Sequence, residues 1–422
     1  MPRARHIPAL LDIHAEDLAF LWGQRRAALD SPEQTLRDFA GLNERIEAHI
    51  QGLLVAPADA LRQRLEATLA DSADGNADRD EVFTAAVAAL RCDDRTLAPQ
   101  VIAEFSRASG PALLGLRDAM GQASPGRVVG ELGNALANAK PSVAAAAAAA
   151  LANHRRLAPD APGLARLLLD DDAEVCAQAW AAAWRADRHA TASQAATSMP
   201  SAPRAGSAGS AARPYREALA RPEPAIRHEA WASAAWSGLA QAITPLRKAV
   251  ADGDEVALQW LCILGTPEDT KAIGTATMAL PSADKRCAAL ARYGHPAVLP
   301  TLVRWMESDD AVLAHAAGAA FMRITGTEIR GERRTLPVAD DADDIDREMA
   351  PLVWMPDVAK ARRLLEEQGP QWNAGIRWCA GRRMDGPLAA DELAALDLQA
   401  RWDAAARAAF AGRPISAPPP IC

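Results

Sequence analysis

The chain is 422 residues long and half hydrophobic, and its 46 Lys and Arg against 54 Asp and Glu leave a formal charge of −8. That balance argues against a nucleic-acid binder, because neutralising phosphates supplies most of such a protein's affinity. No apolar run approaches the roughly eighteen residues a membrane-spanning helix needs, and the length allows two or three domains.

From the N-terminus, Ile13 to Leu29 reads as an amphipathic helix, with Leu18, Leu21, Trp22 and Arg25 sharing one face. Asp12, His14, Glu16 and Asp17 interrupt any apolar signal core, which points to a cytoplasmic protein. Ser31-Pro32-Glu33-Gln34 then predicts a helix start, with Ser31 as N-cap and Pro32 in the first turn. Arg45 and His49, one turn apart on that helix, form a candidate polar contact pair. A helix over Leu61–Leu69 and an acidic loop over Asp71–Asp80 follow. From Glu81 the helices shorten and pair: Val82–Leu90, Pro99–Phe105, Pro111–Met120 and Val128–Ala139.

The most organised stretch runs from Lys140 to Gly326. A phrase recurs there: an acidic or proline start, an apolar β-branched residue, then an alanine-rich helix. The apolar slots are Val143, Val175, Ile226, Val256 and Val312, with Arg286 in a weaker copy. They lie 32, 51, 30, 30 and 26 residues apart, and the long gap contains the Ala/Ser/Gly/Pro/Thr-rich segment Thr191–Arg213, read as a mobile loop. A helical phrase repeating about every 30 residues is the mark of stacked helical layers. Gly238, Gly265, Gly294 and Gly326 follow the second helices, where a left-handed C-cap is expected. Strand signals are nearly absent, so the predicted fold class is all-α. Beyond Gly326, Asp340–Asp346 is an acidic run lacking the glycine and glutamate of a calcium loop. Asp357 is placed to cap a helix over Val358–Gln368, a last helix is expected over Ala389–Phe410, and Pro414–Cys422 reads as a loose tail.

The sequence offers little chemistry. His228-Glu229 opens like a zinc-protease helix, but Ala232 stands where the second histidine belongs. The six cysteines are scattered, with no Cys-x-x-Cys pair, and suit buried thiols in a reducing compartment. No catalytic, cofactor-binding or metal-ligating set is predicted. The informative feature is a column five residues after the apolar slots, Ala148, Trp180, Trp231, Leu261 and Ala317, beside a polar column of Gln178, Glu229, Gln259 and His315. On the concave face of stacked helices, Trp180, Trp231 and Leu261 would anchor a protein partner, with Arg227, Glu229 and Gln259 setting register. The competing reading has the indoles filling gaps between alanine-rich helices.

The repeated phrase resembles HEAT-like repeats, which implies an α-solenoid. Residues 1–80 would then form an N-terminal helical cap, 81–330 the repeat array, and 331–422 a C-terminal helical cap with its tail. Leu42-Asn43-Glu44-Arg45-Ile46-Glu47-Ala48-His49-Ile50-Gln51-Gly52-Leu53 is similar to the N-terminal signature of a proteobacterial HEAT-like family of unassigned activity, often encoded near type VI secretion genes. Ala19–Trp22, Glu81–Ala86, Phe321–Gly326 and Gly375–Trp378 resemble it too. The resemblance implies a non-enzymatic, cytoplasmic adaptor or chaperone for a secreted effector or spike component. An immunity protein that blocks a toxin and a HEAT-like nucleic-acid module are the alternatives.

Overall fold

The computed structural model describes residues 7–94, 96–197, 213–338, 345, 348–372, 375–384, 386, 388–413 and 418, with the backbone alone for 191–197. It is mostly helical and divides into two compact units, Met1–Leu239 with Asp397–Cys422, and Ala240–Leu396.

In the first unit, α1 (Pro8–Ala28) packs on α2 (Leu36–Leu53), and α3 (Ala58–Ala73) leads into α4 (Arg79–Arg91). The start of α2 differs from expectation. Thr35, not Ser31, is the N-cap, in a reciprocal box with Asp38, while the Ser31 hydroxyl accepts from the amides of Glu33 and Gln34 and holds a turn. Thr35 wins because it has a carboxylate three residues on, so two orphan donors are satisfied together. Asp78 and Glu81 make the same box for α4.

From there the chain alternates. α4, α6 (Gly110–Gln122), α8 (Pro141–Asn153), α10 (Ala173–Thr197) and α12 (Pro224–Trp236) pack in succession. The intervening α5 (Leu97–Arg107), α7 (Pro125–Asn138), α9 (Pro162–Leu167) and α11 (Tyr215–Leu219) each pack beside their neighbours in that row. Proline stands in the first turn of α6, α7, α8, α9 and α12, where its missing N–H would be unbonded anyway. Val143 through Ala148 of α8 are all buried. Methyl-sized side chains let α6 and α10 approach α8 closely, and large residues elsewhere must fill what they leave.

The Thr191–Arg213 loop lies mostly outside the described residues. What is described departs from it at both ends: α10 continues to Thr197, and Arg213 is fixed by a two-armed bond to Asp187 at 2.9 and 2.7 Å. The Asp340–Asp346 run and the Pro414–Cys422 tail also fall outside, Ile345 and Pro418 excepted.

The second unit repeats the alternation. α14 (Glu255–Leu264), α16 (Ala283–Tyr293) and α18 (Ala311–Thr325) pack in series, flanked by α13 (Ile243–Ala251), α15 (Thr270–Met278) and α17 (Leu299–Met306). The predicted phrase starts coincide with helix starts. Asp172, Asp254 and Asp310 each accept from the two amides at the head of α10, α14 and α18, the ordinary work of an aspartate N-cap. Gly238, Gly294 and Gly326 are left-handed as expected, but Gly265 is extended at φ −61°. Its need for glycine is a close approach instead: a Cβ there would lie 2.5 Å from the Leu261 carbonyl.

Two strand pairs stand against the strand-free expectation: β1 (Arg330–Thr335) with β2 (Leu352–Pro356), and β3 (Trp378–Cys379) with β4 (Arg382–Arg383), both antiparallel. β2 rests on α18, and α19 (Val358–Gln368) starts at Asp357 as predicted. The expected Ala389–Phe410 helix is two helices, α20 (Ala390–Ala394) and α21 (Leu398–Phe410), because Asp397 turns out of the first to cap the second. α21 belongs to the first unit, against α12.

Candidate functional site

The predicted anchor column is buried. Trp180 is 0 % exposed, Trp231 3 % and Leu261 0 %. The Trp180 indole N–H donates to the Leu168 carbonyl at 3.2 Å, and its ring lies 5.1 Å from that of Tyr215. The register residues are largely used internally: Arg227 donates to the carbonyls of Arg221 and Pro222, and Glu229 accepts from the Trp184 indole at 3.2 Å. Gln259 is exposed. The indoles are therefore the large partners of the alanine surfaces, and as anchors for an external protein these positions are corrected. His49, the predicted partner of Arg45, has its Nδ1 3.2 Å from Nδ1 of His14.

An open site exists elsewhere, among α1, α3 and the head of α4, as a groove of about 1060 Å³. Its base is rigid. Trp22 of α1 stacks on Phe83 of α4 with ring centres 3.8 Å apart. Below them the fully buried Asp118 of α6 accepts from the Trp22 indole (3.1 Å), from Arg79 Nε (2.8 Å) and from two nitrogens of Arg117 (3.1 and 2.9 Å). Burial pulls the Arg79 guanidinium below its ordinary pKa, with Asp118 opposing. A carboxylate answering so many donors fixes the angles of three helices at once.

Small residues open the groove. Ala15, Ala19, Gly23 and Ala27, one turn apart along α1, line it. At Gly23 the space is taken by Asp80, since a Cβ there would lie 3.1 Å from its Oδ2. Asp80 is held by both nitrogens of the Arg26 fork, a bond that raises the Arg26 pKa. Gly115 of α6 does the same for α4, whose Arg79 carbonyl would sit 2.5 Å from a Cβ.

The two sides of the groove differ. On the α1 lip Phe20 is 64 % exposed, and Ile13, two turns earlier on nearly the same line, is exposed too. The opposite wall carries Asp71, Asp78 and Glu81, with Glu16 on α1 and the paired Asp80. Against these stands Arg64, which is itself bonded to Asp12. Among the lining residues, Thr84 of α4 is 2 % exposed, and its hydroxyl and that of Ser72 are closed off from solvent with no hydrogen-bond partner. Unanswered buried hydroxyls are uncommon and ask for an explanation.

Sequence reasoning passed over this site although signals were present. α1 turns Leu18, Leu21 and Trp22 inward, Phe20 stands outward among Glu16, Asp17 and Gln24, and small residues recur every fourth position from Ala15 to Ala27. Among the described residues no three His, Cys, Asp or Glu side chains converge as a metal set, and no helix is long and apolar enough to cross a membrane. In comparisons with known proteins, no family model, no curated protein and no solved structure matches the chain.

Proposed function

We propose that the chain is a non-enzymatic protein-binding scaffold whose docking site is the α1–α3–α4 groove. The successive rows α4–α6–α8–α10–α12 and α14–α16–α18, each flanked by its intervening helices, are read as HEAT-like layers. Such layers give a stiff body that presents an end surface without chemistry of its own. The observation that carries the reading is a large exposed aromatic standing on the lip of an open groove lined by carboxylates. A partner would cover that ring and meet those charges.

The similarity of Leu42–Leu53 to a family encoded near type VI secretion genes supports a cytoplasmic adaptor or chaperone role, with a secreted effector or spike component as partner. The acidic wall disfavours the nucleic-acid alternative, since phosphates would be repelled there. An immunity protein would use the same groove, and rescue of a toxin-expressing strain by co-expression separates the two roles.

The test is site-specific photocrosslinking in cells. A photoreactive phenylalanine replaces Phe20, or, as control, the exposed Glu217 of α11. The expected result is a discrete protein adduct from position 20 only, abolished by Ala19→Trp, which fills the groove. Adducts indifferent to Ala19→Trp, or none from position 20, refute the reading.

A further inference from the structure

The groove is lined by acid, and its charge selects an occupant. One lip carries the exposed Phe20 with Glu16 one turn before it; the facing wall carries Asp71, Asp78 and Glu81; the floor between them is made of alanine and glycine. An extended strand would need unpaired backbone donors and acceptors along the groove, yet the walls are helices whose backbone groups are already bonded. A helix needs none. Laid parallel to α1, it would set an apolar stripe against Phe20, pass close over Ala15, Ala19 and Ala27, and turn its charged edges to Glu16 and to the acidic wall.

We infer that the groove receives a basic amphipathic helix of a partner protein; this rests on the protein-binding reading above. The charge follows from the wall, where carboxylates outnumber guanidinium groups and the one lining arginine is already paired with Asp12. A long lysine or arginine arm from the docked helix buries its methylene stem against Ala19 and Ala85 and delivers its charged head to the acidic wall.

The probe is a synthetic helical peptide of about eighteen residues, with leucine at i, i+3, i+4 and i+7 and lysine on the other face. Glutamate-for-lysine and glutamine-for-lysine versions are its controls. Binding to the full chain is read by fluorescence anisotropy at two salt concentrations. The lysine peptide should bind at least about tenfold more tightly than either control, and its affinity should fall as salt rises from about 50 to about 500 mM. Phe20→Ala and Ala19→Trp should each weaken it at least about tenfold. Glu16→Gln with Asp71→Asn should weaken it and flatten its salt dependence.

Phe20→Ala gives an internal check. Removing an exposed ring should leave the free chain's melting temperature unchanged while lowering affinity for the lysine peptide, a divergence that misfolding cannot produce. Controls that bind as well as the lysine peptide, or binding indifferent to Ala19→Trp, overturn the inference. If position 20 still crosslinks a protein in cells under those outcomes, the groove docks a partner of other chemistry and only the basic-helix assignment falls. If both fail, the groove is no docking site.

Discussion

Replacing Arg377 by methionine keeps a long, flexible side chain in the second unit but removes its guanidinium. That group is buried, and it donates to the Cys262 carbonyl at 2.6 Å and to the Gly265 carbonyl at 2.9 Å, both at the C-terminal end of α14. It also donates to the Arg292 carbonyl at 2.9 Å and to that of Tyr293, at the end of α16. One fork therefore caps two adjacent helices whose last carbonyls have no partner within their own helix, and its positive charge sits at the negative ends of both dipoles. A hydrogen bond to a charged group is worth about 1.5–3 kcal/mol net, and carbonyls left buried without a donor lose more. Allowing for shared geometry and partial relaxation, Arg377→Met should cost about 3–5 kcal/mol, the range for breaking a buried charged interaction. For a unit of this size each kcal/mol moves the midpoint by about 2–4 °C, so its thermal transition should fall by about 6–20 °C. Hydrogen exchange followed by mass spectrometry locates the loss: peptides covering the ends of α14 and α16 should exchange faster. Arg377→Lys, which keeps the charge but lacks the fork, should fall between the two. A methionine variant melting within about 2 °C of wild type, with those peptides still protected, would refute the capping argument.

Three further outcomes are expected. Asp118→Asn strips the charge from a carboxylate that answers Arg79, Arg117 and Trp22; urea denaturation should show a loss of about 3–5 kcal/mol, because two guanidinium groups remain without their counter-charge. The His189 pKa is lowered, first by burial and then by Arg155, Arg185 and Arg188. A base depressed in the folded state binds fewer protons there than when unfolded, so its contribution is intact above the unfolded value of about 6.5 and erodes as pH falls below it. His189→Gln should therefore flatten the decline of melting temperature between about pH 6.5 and 5. Burial pushes the Cys287 thiol up to about 12, so it is protonated at neutral pH; iodoacetamide should label it only at the rate of global unfolding, and fast labelling of native protein would contradict the burial.

The helices were legible because their signals are local. A carboxylate two or three residues before an apolar slot caps a helix wherever it falls, and Asp172, Asp254 and Asp310 do so. What escaped was set by distant partners. Thr35 became the cap of α2 and also bridges to Asp397, more than 350 positions away. Gly375–Trp378, noticed only as a likeness, owes its shape to helices it does not adjoin in sequence: Arg377 caps α14 and α16, and the Trp378 amide donates to the Gly294 carbonyl at 2.7 Å. In each strand pair one partner is arginine-rich and mostly solvated, β1 and β4, and β3 and β4 are two residues each, so the alternation that marks a strand buried on one side is missing.

The misplaced docking column has one physical cause. Counting positions from the apolar slot assumes that every copy buries the same arc, which holds when core residues are of similar size. Here the core arcs are largely alanine, and alanine faces leave more room between helices than they fill. The buried arc therefore widens to take in the indoles, as with Trp180 under the Leu168 carbonyl and Trp184 stacked on Trp236 with centres 5.3 Å apart. A large residue in an alanine-rich helix is drawn inward whatever face the period assigns it. By the same argument, a large apolar residue that stays outside in such a chain carries unusual weight. Phe20 stands beside Ala19, Gly23 and Ala27, with small neighbours that could have admitted it, and it is exposed. Its being outside is a property of the groove beneath it: Asp80 fills the space at Gly23, and the Trp22–Phe83 stack closes the core behind.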